Sequence, residues 1–176
     1  LNICIKMINK IDKYQFLIAG GGLIGSLVGL HLIKKGYKVL VVDKNIKSSN
    51  DKRTLAVNAN SKDFLINLGL WEKLKNKPQK IKKIIIKDLI NKEPLIFENE
   101  KEEMGNVIFN NELLLIAINQ LKASKSIIEI PEFKISQINK NKIIKLKNKN
   151  YIFNHIIICF GKKFNDFNLI KKYTIP

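Results

Sequence analysis

Between Phe16 and Asp43 the chain reads FLIAGGGLIGSLVGLHLIKKGYKVLVVD, and few backbones satisfy all of that stretch at once. Phe16 to Ala19 is a short apolar strand. Gly20, Gly22 and Gly25 give G-x-G-x-x-G, and Leu23, Leu27, Leu30 and Ile33 then recur at helical spacing until Gly36 closes the helix. Lys38 to Val42 predicts a second strand, with Asp43 at its C-terminal end. Each part has a task in a dinucleotide site. Gly20 permits the tight turn, Gly22 lets backbone approach a pyrophosphate, and Gly25 lets helix pack on strand. The positive end of the helix faces the phosphates. Asp43 falls within the distance of about 20 residues at which a carboxylate holds the ribose hydroxyls. A carboxylate there repels a 2′-phosphate, so the spacing points to FAD or NAD rather than NADP.

Composition narrows the rest. With 45% hydrophobic residues the chain can bury a core. A net charge of +17 invites a nucleic-acid reading, but Arg53 is the only arginine among 32 basic residues. Base readout leans on the arginine fork, so no specific nucleic acid is expected. Lys, Ile and Asn dominate evenly, as A+T-rich codon bias would produce. A basic face on an anionic membrane surface is the next reading. Cys4 and Cys159 are isolated and fit a reducing, cytoplasmic compartment. No apolar run reaches the roughly 18 residues of a membrane span. Residues 1–15 predict a poorly ordered leader.

Further along, Ser61 is a candidate cap for a helix that turns Phe64, Leu65 and Leu68 inward and ends at Gly69. Residues 76–80 form a linker. Ile81 to Asp88 and Pro94 to Glu98 predict strands joined by a turn around Asn91, and Val107 to Phe109 a further strand. Glu112 to Lys122 predicts a helix. After it come strands only: 126–130, 133–138, 143–147, 151–153 and 155–160. Their short polar turns imply an antiparallel meander. A nicotinamide dehydrogenase would instead continue strand, helix, strand, helix, so that reading falls. The fold class expected is α/β: a Rossmann-like FAD-binding domain, βαβ plus antiparallel meander, with part of an interleaved substrate-domain sheet.

Three blocks together resemble the FAD-dependent aromatic-ring hydroxylases, and within them the ubiquinone-biosynthesis (2-octaprenylphenol-type) enzymes. The first is the glycine stretch. The second, DKRTLAVNANSKDFLINLGLWEKL, is similar to that family's Arg-Thr-x-Ala-x-x-x-x-Ser segment followed by a helix ending Leu-Gly-Leu-Trp. The third is MGNVIFNNELLLIAINQL, like its Gly-x-aliphatic-aliphatic-x-Asn segment before a helix. The likeness runs over residues 16–164, about the N-terminal half of a family member. It implies FAD-binding segments at 16–80 and 111–164, substrate-domain strands at 81–110 and a truncated tail at 165–176.

The resemblance also implies roles. Gly20, Gly22, Gly25 and Asp43 match ADP-binding positions, Arg53 matches an arginine that approaches the flavin, and Gly161 matches the glycine of a terminal Ala-Asp-Gly. Two positions depart from the pattern. Asn111 stands where the family has a basic residue, and Phe160 stands where it has Asp. No His, Cys or carboxylate grouping predicts a metal or a nucleophile, and Trp71 is expected as a core plug. The activity implied is hydroxylation of a polyprenylated phenol, with FAD as cofactor, NAD(P)H as transient reductant, and a separately encoded C-terminal half as a partner. The alternatives are a catalytically inactive FAD/ADP-binding remnant and, last, a basic nucleic-acid-binding protein.

Overall fold

The computed structural model describes residues 11–46, 52–87, 93–98, 104–131, 133, 143–146 and 149–161. The expected leader up to residue 10, Cys4, the turn around Asn91, the strand beyond Phe133, the turn at 139–142 and the tail at 165–176 lie outside them. The fold is mixed α/β, with a predominantly parallel sheet. By contact the chain divides into two units, Leu1–Ile46 with Leu121–Pro176, and Lys47–Gln120.

The first unit is built on a sheet ordered β8-β2-β1-β10-β9. Its strands are β1 (Ile11–Ala19), β2 (Val39–Asp43), β8 (Ile127–Glu129), β9 (Ile143–Leu146) and β10 (Lys149–Ile158). Helix α1 (Leu23–Lys34) joins β1 to its parallel neighbour β2. Period-two alternation buries both faces of the central strands. Leu17, Ala19, Leu40, Val42, Tyr151 and Phe153 form one cluster, closed by Phe133. On the other face Ile18 and Val41 meet α1 at Gly29, where an added Cβ would lie 2.8 Å from Val41. A sheet covered on both faces explains why VLVV is a continuous apolar run.

Two expectations change here. β1 starts at Ile11, so residues 11–15 belong to the sheet rather than to a leader, paired with β10 from Ile11↔Asn150 onward. Pattern reading misses them because the alternation slips. Gln15 and Phe16 both donate to the Lys38 carbonyl, at 2.8 and 3.3 Å, and Tyr14 then packs in the same cluster as Leu17. Secondly, the strands expected at 151–153 and 155–160 are one strand, and it runs parallel to β1. Among the described residues of that stretch, β9 and β10 form the antiparallel hairpin that the short turn implies.

In the second unit β3 (Thr54–Val57), β7 (Asn106–Phe109) and the two-residue β4 (Gln79–Lys80) make an antiparallel sheet ordered β3-β7-β4. β5 (Lys83–Ile86) and β6 (Leu95–Glu98) pair antiparallel, as their strand pattern predicts. Helix α2 (Ala59–Asn67) is capped by Asn58, whose side chain accepts the Ser61 N–H at 2.8 Å. Ser61 is therefore inside the helix rather than its cap, displaced by an equally good capping residue three positions earlier. The helix does end at Gly69, with φ +65°. Trp71 opens a short 3-10 turn, half-buried, with the Lys62 ammonium 5.4 Å from its ring centroid. It is not the expected core plug. Helix α3 spans Asn110–Ala123 and buries Leu113, Ala117, Ile118 and Leu121.

Candidate functional site

β1 is the point where the sheet divides: β2 and β8 lie on one side of it, β10 and β9 on the other. In open α/β sheets ligands bind beyond the strand C-termini at such a place. The loop there is Gly20 to Gly22, and its packing explains the glycine spacing. Gly20 has φ +111°, and a Cβ on it would stand 2.4 Å from the Cys159 carbonyl oxygen. A Cβ on Gly25 would stand 1.8 Å from the Gly20 carbonyl oxygen. No side chain fits at either. Gly22 differs: it is exposed, and nothing lies within 4 Å of its Cβ position. Space is left beside the backbone at the one glycine of the three that should approach a ligand.

Gly22 is also the N-cap of α1, with no side-chain cap and no acidic residue in the first turn. The first turn of the helix thus carries no acidic side chain of its own, which suits a pyrophosphate. The loop is held rigidly. Gly20 N–H donates to the Val42 carbonyl at 2.8 Å. The Gly21 peptide is gripped from both ends: its N–H donates to Asp43 Oδ2 at 2.5 Å, and its carbonyl accepts the Ser26 hydroxyl at 3.0 Å. Ser26 is wholly buried. Pattern reading passed over it, although a hydroxyl beside Gly25 on an otherwise apolar helix face was the available signal.

Asp43 therefore has a task in the folded chain itself. Its other oxygen, Oδ1, accepts the Asn45 N–H at 2.9 Å. An ionised carboxylate offers about four acceptor sites, so two remain for ribose hydroxyls. These residues fit the ADP half of a dinucleotide: an open glycine, an uncapped helix start and a partly engaged carboxylate.

The structure brings Gly20, Gly22, Gly25 and Asp43 together. Gly161, exposed with φ +59°, follows two residues after the Cys159 carbonyl that Gly20 packs against. Burial pushes the Cys159 thiol upward, away from thiolate chemistry. Phe160 packs against the apolar cluster of the sheet. Arg53 belongs to the second unit. It is exposed just before β3, and its carbonyl accepts the Asn110 N–H at 3.0 Å. That bond joins two blocks far apart in sequence, and the pairing of Thr54 with Phe109 continues it. No grouping of His, Cys, Asp and Glu suited to a metal occurs among the described residues.

Comparison with known proteins adds to this geometry. The family model described as "FAD binding domain" matches residues 13–119. No curated protein matches the sequence. Among solved structures, p-nitrophenol 4-monooxygenase PnpA from Pseudomonas putida superposes with a TM-score of 0.62 at 14% identity, covering 84% of this chain and 41% of that one. A variant of P. aeruginosa PqsL gives a TM-score of 0.63 at 12% identity, with 82% and 42% covered. A variant of 2-methyl-3-hydroxypyridine-5-carboxylic acid oxygenase gives 0.51 at 15%, with 64% and 30% covered. At such identities the likeness is one of fold. The chain spans well under half the length of these structures.

Proposed function

Because this chain belongs to the FAD binding domain family, matched over residues 13–119, we propose that it is the FAD-holding portion of a flavin-dependent aromatic hydroxylase. The observation that carries the proposal is the glycine loop clamped by Asp43 beside an open Gly22. Gly20 and Gly25 would shape the loop so that backbone at the open Gly22 holds the pyrophosphate, and Asp43 would hold the ribose. Arg53 and Gly161 would serve the flavin half. Bound FAD, reduced by NAD(P)H, supplies the oxygen-activating chemistry. The chain's own residues position it: the buried strands fix the loop, and the loop fixes the phosphates.

The substrate class proposed is a polyprenylated phenol of ubiquinone biosynthesis, on the strength of the Arg-Thr-x-Ala stretch and the Leu-Gly-Leu-Trp helix end. A lipid-soluble substrate accords with a net charge of +17 at an anionic membrane surface, the enzyme being cytoplasmic and peripheral. No helix among the described residues is long and apolar enough to cross a membrane. Hydroxylation would need the region corresponding to the rest of the neighbours' length, in the same or a separately encoded chain.

FAD titration followed by fluorescence quenching tests the proposal. The wild-type chain should bind FAD and ADP, and Asp43→Ala should weaken both by roughly 1.5–3 kcal/mol, the worth of a hydrogen bond to a charged group. A wild-type chain that binds neither ends the flavoprotein reading. A second reading, an FAD- or ADP-binding remnant without catalysis, is favoured by Phe160, packed into apolar surroundings where the resemblance calls for a carboxylate. In that case FAD binds, but NAD(P)H oxidation yields no hydroxylated phenol even with the remaining region supplied.

A further inference from the structure

The turn that carries Asp43 is tied down from a strand far away in sequence. Glu129 ends β8 in register with Asp43 on β2. Its Oε2 accepts the Ile46 N–H at 3.2 Å. One residue further, the Ile130 N–H donates to the Asp43 carbonyl at 2.7 Å. The turn from Asp43 to Ile46 is thus anchored at its start by the β-ladder and at its end by the Glu129 carboxylate. Between the anchors the Asn45 N–H donates to Asp43 Oδ1, while Oδ2 reaches back to Gly21. The Ile46 side chain is buried, which adds a third restraint.

We propose that Glu129 is a positioning residue of the nucleotide site: by holding Ile46 it sets the turn that aims Asp43 at the glycine loop and at the ribose. This rests on the reading of Asp43 as a ribose ligand. Electrostatics gives the proposal a sign. A second carboxylate near a site for an anionic pyrophosphate repels it, so on charge alone the loss of Glu129 would tighten nucleotide binding. A positioning role predicts the opposite.

The experiment is calorimetric titration of ADP into the wild-type chain, Glu129→Ala, Glu129→Gln, Asp43→Ala and the Asp43→Ala/Glu129→Ala double variant. Glu129→Ala should weaken ADP binding roughly three- to tenfold, the scale of one backbone hydrogen bond. Glu129→Gln should restore most of it, because the amide oxygen still accepts from Ile46. With Asp43 already removed, Glu129→Ala should produce no further loss, since it acts through that carboxylate. Unchanged or tighter binding in Glu129→Ala, or an equal loss in the absence of Asp43, overturns the proposal. Amide exchange on the free chain gives a readout independent of nucleotide. Loss of Glu129 should speed exchange at Gly21 and Asn45, whose N–H groups bond Asp43, as well as at Ile46. Acceleration confined to Ile46 also overturns it. A wild-type chain that takes no ADP would end the flavoprotein reading instead, and the exchange data would still decide whether Glu129 sets Asp43.

Discussion

Strand β2 and the hairpin β5–β6 are equally apolar in sequence and opposite in burial. In β2, VLVV is buried completely or nearly so, between α1 on one face and the Phe133 cluster on the other. In the hairpin, KIII and LIFE pair neatly, yet Ile84 to Ile86 and Leu95 to Phe97 are all between 39% and 57% exposed. Both regions pair their backbones with a neighbouring strand. What separates them is layering: a sheet face is stabilised only when something apolar lies on it, and two strands alone have no second layer.

That contrast sets the size of the effects expected from substitution. The largest should come from Leu17→Ala in the buried cluster, roughly 2–5 kcal/mol, against about 0.5 kcal/mol for Ile85→Ala in the hairpin. Urea unfolding of both variants measures it, and similar losses would erase the distinction drawn here. Next come two glycines of the loop. Gly25→Ala drives a methyl into the Gly20 carbonyl and should destabilise by roughly 3 kcal/mol. Gly22→Ala meets open space, so its melting temperature should hold within the scatter of a surface variant, about 0.5 kcal/mol. Its FAD affinity should nevertheless fall. If Gly22→Ala melts as early as Gly25→Ala, the openness read at position 22 is wrong.

A smaller effect sharpens the second unit. Burial by itself pushes Glu112 upward, but hydrogen bonds from the Asn76 side chain and from the Asn76 and Lys75 backbone outweigh it, so its pKa lies below the ordinary value. A depressed folded pKa contributes stability that is fully present above the unfolded value, about 4.3, and is lost as pH falls through the folded one. Glu112→Gln should flatten that acid-side slope. As the group is only partly buried and still screened by solvent, the change near neutral pH should be less than about 1 kcal/mol. Thermal melts at stepped pH below 5 decide it; an unchanged slope would assign the acid sensitivity elsewhere. The smallest effect belongs to the hairpin's Lys83–Glu98 ion pair, 3.0 Å apart and about half exposed at both ends. Glu98→Gln should alter stability by no more than about 0.5 kcal/mol, and added salt should not reveal more.

Much of this fold is legible in the sequence alone. The glycine spacing, the helix that follows and the acid at the end of the second strand are local properties. So are the short apolar runs that mark β5 and β6. Legibility stops where a local signal is ambiguous. Asn58 and Ser61 are both good caps, and only the course of the chain after β3 chooses Asn58. The start of β1 hides behind a slipped alternation, and β3 and β4 are too short for any pattern to mark.

By itself, then, the sequence determined the strand-loop-helix-strand unit, the glycines whose side chains the turn could not admit, and the carboxylate within reach of them. Those outcomes depend on backbone sterics and periodicity over a few turns. Only the tertiary structure decided that β10 runs as one strand parallel to β1, that Gly20 needs to be glycine because of Cys159, and that Glu129 holds the turn bearing Asp43. Each of these joins residues at least 83 positions apart in the chain. Periodicity says which face a side chain occupies but not which distant strand will lie beside it, because pairing is chosen by the burial that the completed layers provide.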